Sequence, residues 1–120
     1  MLKNWIDQLR GTKLAANRLA KANPALMTAF RGLSASQNGN GTLDAKTREL
    51  IALAVAVTTH CDSCIAVHAS AARAAGVTEA ELADALGTAI AMNAGAAYSY
   101  SLRALEAFEQ LDPEAATRVA

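Results

Sequence analysis

Apolar residues recur at helical spacing along most of the chain. Leu2, Trp5, Ile6 and Leu9 fall at i, i+3, i+4 and i+7, which predicts an amphipathic helix with Gly11 as its stop. A second helix is expected over Thr12 to Ala22. Asn23–Pro24 restarts the chain, with Pro24 in a first turn and Leu26, Met27, Phe30 and Leu33 as the apolar face. Ser34 to Thr42 (SASQNGNGT) reads as a loop, a connector between helices. Asp44 is placed to cap a helix from Ala45 to about Thr58. Thr58, Thr59 and His60 then interrupt the pattern, and a new helix opens at or near Cys61 and runs to Ala75, stopped by Gly76. Thr78 with Glu81 has the spacing of a capping box and opens a helix to about Asn93. Asn93–Ala94–Gly95 predicts a kink or turn. A last helix is expected over Ala96 to Leu111, striped by Leu102, Leu105, Phe108 and Leu111 and ended by Asp112–Pro113. No segment alternates with the period of a strand, and no internal repeat is present.

Composition supports the all-α reading. The 120 residues include 30 alanines, the best helix former, and only 4% aromatics. The length suits a single domain over residues 1–120, with N-terminal helices over 1–23 and a core over 24–111. So many small side chains give a thin core, and oligomerisation is expected to supply part of the stability. Eleven basic residues balance eleven acidic ones, which argues against nucleic acid as a partner. Five of the basic residues lie at or before Lys21, yet this short amphipathic start reads as a packing helix rather than a membrane anchor. The longest apolar run, Leu50 to Val57, is far short of a membrane span, and no targeting signal opens the chain, so the expected location is the cytoplasm.

The chemistry is concentrated in Glu49 to His68, ELIALAVAVTTHCDSCIAVH. On a helix at 100° per residue, Cys61, Cys64 and His68 lie within about 60° of one another. The spacing lets the two cysteines form a disulfide and brings the imidazole of His68 to Cys64 one turn on. A helix start provides positive potential, which lowers a thiol's pKa and favours the reactive thiolate. His68 is suited to deprotonate Cys64 or to stabilise its thiolate. Glu49, at the head of an apolar stretch, is an acid that folding could draw into the site; a solvated first-turn carboxylate is the competing reading.

Other readings compete for the cysteines. CxxC with a nearby histidine also suits half of a zinc site, but only His60 remains as a fourth ligand, and on a continuing helix it points about 100° from Cys61. A structural disulfide is disfavoured in a reducing compartment. A thioredoxin-like site needs a preceding strand, and here the preceding segment is helical. His60 suits a loop or capping role, and Ser63 either donates to a thiolate or faces solvent. Neither a metal nor a cofactor is called for.

Taken together, Glu49, Cys61, Cys64 and His68, in the pattern Glu-x11-Cys-x-x-Cys-x3-His, resemble the AhpD-like alkylhydroperoxidases of the carboxymuconolactone decarboxylase family. PALMTAFRGL from Pro24, TRELIAL from Thr47 and CDSCIAVHASAARAAGVTEAELADAL from Cys61 extend the resemblance over about Pro24 to Leu111. It implies an all-α domain of about six helices, assembled as a homotrimer or homohexamer. It also implies that Cys64 reacts with peroxide, that Cys61 resolves the sulfenic acid into a disulfide, and that Glu49 and His68 relay protons. The chain departs from the pattern at Ser63, where the best-known AhpD proteins carry a histidine; proton transfer then falls to a water, Ser63 or His60.

The function expected on these grounds is a thiol-dependent peroxidase. Its substrate is a peroxide, its reductant a lipoyl- or thioredoxin-type dithiol, and a peroxiredoxin is a candidate partner. The alternatives are a non-catalytic redox sensor or adaptor and a carboxymuconolactone-type decarboxylase. The paired cysteines argue against the last.

Overall fold

Five helices account for nearly all of residues 2–114, the part of the chain that the computed structural model describes. They are α1 (Trp5–Ala22), α2 (Pro24–Ser36), α3 (Ala45–Thr58), α4 (Asp62–Ala74) and α5 (Glu79–Gln110). No strand occurs among the described residues, so the all-α expectation holds.

Two expected breaks are absent, which brings the helix number down to five. Gly11 does not stop α1, which runs through it for 18 residues. A mid-helix glycine costs about 1 kcal/mol against alanine, and the good helix formers around it outweigh that. The helix also starts later than expected: Asn4 caps it by accepting the Asp7 amide, so Leu2 lies outside and is exposed. Likewise Asn93–Ala94–Gly95 makes no kink in α5, a single helix of 32 residues. Asn93 is held within it because its amide nitrogen donates to Ala89 O at 2.8 Å and to Thr58 Oγ1 of α3 at 2.9 Å. The loop before α3 is shorter than expected, since Ser34 to Ser36 finish α2.

Side-chain caps fix the remaining helix starts. Asn23 caps α2 through the Leu26 amide, and Asp44 caps α3 through the Thr47 amide. The Thr47 hydroxyl and amide hold the Asp44 carboxyl below its ordinary value. Thr78 and Glu81 form the expected reciprocal capping box on α5. Glu81 also pairs with Lys46 of α3 at 2.8 Å, tying the α5 start to the α3 start.

α3 packs against both α4 and α5, and α1 packs against α4 and α2; Ile51 and Val55 of α3 remain exposed. The buried core is Leu53, Ala56, Ala66, Ala72 and Ala89. Four of these five are alanines, so little apolar area is buried per residue. Many of the large apolar side chains stay exposed. The stripe Leu102, Leu105 and Phe108 on α5, continued by Leu111 at its C-cap, faces solvent, with Phe108 83% exposed, as do Leu26, Phe30 and Leu33 on α2. The accessible surface is 9408 Å², against about 6,100 Å² for a compact monomer of this mass. The radius of gyration is 20.8 Å, against about 14 Å for a compact chain of this length.

Candidate functional site

The site is built at the α3–α4 junction, where one residue serves both helices. The end of α3 is a Schellman turn: the Cys61 amide donates to Ala56 O at 3.0 Å and the His60 amide to Val57 O at 3.4 Å. His60 occupies the left-handed position with φ of 55°, a place usually taken by glycine but one where histidine is over-represented among other residues. This turn reverses the chain in two residues. Cys61 then caps α4: its carbonyl accepts from the Ile65 amide at 2.9 Å and its sulfur from the Cys64 amide at 3.2 Å. The far end of α4 repeats the Schellman pattern with Gly76 at φ of 82°.

The two sulfurs lie at bonding distance, 2.26 Å, with the Cα atoms 5.2 Å apart. Cys61 stands just outside the helix and Cys64 in its first turn, so the pair straddles the helix start expected from the sequence. Free N–H groups there present positive potential to Cys64.

His68 lies one turn beyond Cys64, and its Nδ1 is 2.7 Å from Glu49 Oε2. Both side chains are half-buried, at 26% and 20% exposure, which protects the contact from solvent competition. A carboxylate can only accept, so in this contact Nδ1 carries the proton. The other ring nitrogen, Nε2, is left to exchange a proton. Folding has therefore drawn Glu49 to the histidine rather than leaving it solvated.

Ser63 is turned toward α1. Its Oγ accepts from Thr12 Oγ1 at 2.9 Å and from Gln8 Nε2 at 3.4 Å, and Gln8 also donates to Thr12 at 3.1 Å. Its neighbour Asp62 pairs with Lys3 Nζ at 3.2 Å. His60 sits in the turn with its side chain exposed. Thus the fold joins Glu49 to His68 and Cys61 to Cys64, with His68 one helical turn beyond Cys64, while Ser63 and His60 have structural partners or positions of their own. Lys3, Gln8 and Thr12 were missed by the sequence reading. The available signal was two polar residues, Gln8 and Thr12, flanking Leu9 on the inward side of an amphipathic helix.

Comparison with known proteins gives a consistent result. The profile of the carboxymuconolactone decarboxylase family matches residues 24–107. An uncharacterized protein of Haemophilus influenzae is 55% identical over 108 residues, covering 90% of this chain and 96% of that one. Uncharacterized protein 4 in the cox locus of Paracoccus denitrificans is 37% identical, covering 82% of this chain and 88% of its own. Among solved structures, a carboxymuconolactone decarboxylase family protein from Legionella pneumophila, crystallised in its apo form, superposes with a TM-score of 0.71 at 36% identity, covering 88% of this chain and 95% of that one.

Proposed function

The chain belongs to the carboxymuconolactone decarboxylase family, and from that premise we propose that it is an AhpD-like thiol peroxidase, working in the cytoplasm, that reduces peroxides or hydroperoxides with Cys61 and Cys64. The observation that carries this reading is the 2.7 Å contact between Glu49 and His68, one turn from a cysteine whose sulfur lies at bonding distance from a second. A carboxylate–imidazole pair beside a CxxC helix start supplies what thiol redox chemistry needs: a base, a thiolate-stabilising field and a resolving thiol.

In the reduced protein, His68 Nε2 takes the proton of the Cys64 thiol while Glu49 holds Nδ1–H. The thiolate attacks a peroxide oxygen, forming the S–O bond as the O–O bond breaks. The leaving alkoxide takes the proton from His68 and departs as an alcohol. Cys61 then attacks the sulfur of the Cys64 sulfenic acid; the S–S bond forms and water leaves. A lipoyl- or thioredoxin-type dithiol exchanges with the disulfide, restoring two thiols and leaving as a disulfide itself. A peroxiredoxin disulfide is an alternative oxidant of the same dithiol pair.

Homo-oligomeric assembly, as a trimer or hexamer, belongs to this reading. It is supported by the roughly 3,300 Å² of surface beyond that of a compact monomer, an excess of the size that obligate interfaces bury.

The test is hydroperoxide consumption by the full chain with dihydrolipoamide as reductant. Turnover should vanish in Cys64→Ser, while Cys61→Ser, assayed without the dithiol, should consume one equivalent and stop at the sulfenic acid. Full turnover in Cys64→Ser would overturn the reading. Oxidation of the wild type with no catalytic cycle would favour a redox sensor, and lactone turnover persisting in the double serine variant would favour a decarboxylase.

A further inference from the structure

Both residues enclosed between the cysteines are held by side chains from the N-terminal segment. Lys3 Nζ pairs with Asp62 Oδ2 at 3.2 Å, and Thr12 and Gln8 converge on Ser63 Oγ. These contacts span 51 to 59 residues of chain. α1 has no buried residue, and its side-chain hydrogen bonds to α4 run from Gln8 and Thr12 to Ser63. The ring closed by the two sulfurs contains Asp62 and Ser63, so any rearrangement of the sulfurs reaches the groups that α1 holds.

We infer that Lys3, Gln8 and Thr12 are positioning residues for the Cys61–Cys64 pair: Lys3 offsets the Asp62 charge beside the thiols, and the Gln8–Thr12–Ser63 chain keeps the first turn of α4 wound when the disulfide opens. This rests on the thiol-redox reading above. Asp62 is the anion next in sequence to Cys61, and an uncompensated anion disfavours a neighbouring thiolate. The Lys3 cation cancels that effect at the helix start. Among the described residues, His60 precedes Cys61 in the turn, His68 lies one turn beyond Cys64 on α4 and pairs with Glu49 of α3, and on α1 Asp7 and Arg10 pair with each other. Lys3 is therefore the cation that the N-terminal segment adds to the CxxC turn. Opening the disulfide requires two electrons and two protons from an external dithiol, which becomes a disulfide. The α1 contacts act on how the two resulting thiols share charge, not on that balance.

The experiment measures the pH dependence of Cys64 alkylation by iodoacetamide in the full-length protein reduced with dithiothreitol and freed of it, Cys61 being replaced by serine. Lys3→Ala should lower the alkylation rate below the thiol pKa roughly two- to fourfold and move the pH profile to higher pH. Lys3→Arg should restore it. The difference should shrink in high salt, as expected for an exposed pair. With Asp62→Asn in place, Lys3→Ala should have no further effect. Thr12→Val should leave the profile in place and increase amide exchange in residues 62–65 of the reduced protein relative to the disulfide form. A pH profile unmoved by Lys3→Ala, or moved equally in the Asp62→Asn background, would overturn the role of Lys3; exchange unchanged by Thr12→Val would overturn that of the hydrogen-bond chain. Alkylation needs no peroxide, so a Lys3-dependent profile without peroxide turnover would refute the proposed function alone, and turnover with a Lys3-independent profile would refute this inference alone.

Discussion

Glu49 and His68 meet at 2.7 Å across the packing of α3 on α4, although they stand 19 positions apart in the chain. The carboxylate engages Nδ1, and that choice leaves Nε2 as the proton-exchanging atom. Replacing His68 with alanine should lower hydroperoxide turnover by about 100-fold, and Glu49→Gln by about tenfold. The double variant should be little worse than His68→Ala, because the two act as a unit. Steady-state rates with a dithiol reductant check this.

The turn between the two helices makes a second expectation. His60 adopts φ of 55°, where a side chain is strained and glycine is not. His60→Gly should stabilise the protein by about 0.5–1 kcal/mol, seen as a higher urea midpoint, with peroxide turnover retained. Gly76→Ala, at the matching turn after α4, should destabilise by about 1 kcal/mol.

The α5 capping box couples stability to acid. Lys46 above all, then the Thr78 amide and hydroxyl, hold the Glu81 carboxyl down to about 2 from its ordinary 4.5. A depressed carboxyl favours the folded state fully above the unfolded value, and that contribution is lost as pH falls from 4.5 toward 2. Urea midpoints measured across that window should fall more steeply for the wild type than for Glu81→Gln, which keeps a capping amide but no charge.

Assembly provides the fourth expectation. Phe108 and Leu105 stand open on the distal half of α5, well beyond Asn93, which hydrogen-bonds Thr58 of α3. Phe108→Glu or Leu105→Glu should shift the protein to smaller species in sedimentation equilibrium. It should also lower thermal stability, because the protomer core of mostly alanines buries little by itself.

Much of this was legible in the sequence because the signals were local. Asp44, Thr78, Glu81 and Gly76 act within a few residues of where they stand, and each does what its type and spacing implied. The CxxC turn was legible for the same reason. Gly11 and Asn93–Gly95 misled because a glycine or asparagine marks a helix end only when its neighbours also stop favouring helix; here alanine, leucine and lysine carry the helix through. The Glu49–His68 contact could only be left open, since it depends on how two helices pack. Lys3, Gln8 and Thr12 were invisible because their partners lie more than fifty residues away.

Leu53 and Ala56 follow Glu49 on one stripe of α3, and Ala72 follows His68 one turn along α4. All three are buried where α3 packs against its neighbours, and Leu53 and Ala72 line one cavity. A larger side chain at position 72 would act as a wedge costing about 1–3 kcal/mol. It would also carry the carboxylate out of reach of the imidazole, since such bonds weaken within a few tenths of an ångström beyond about 3.2 Å. A residue that bears no reactive atom would then govern whether the reactive ones meet.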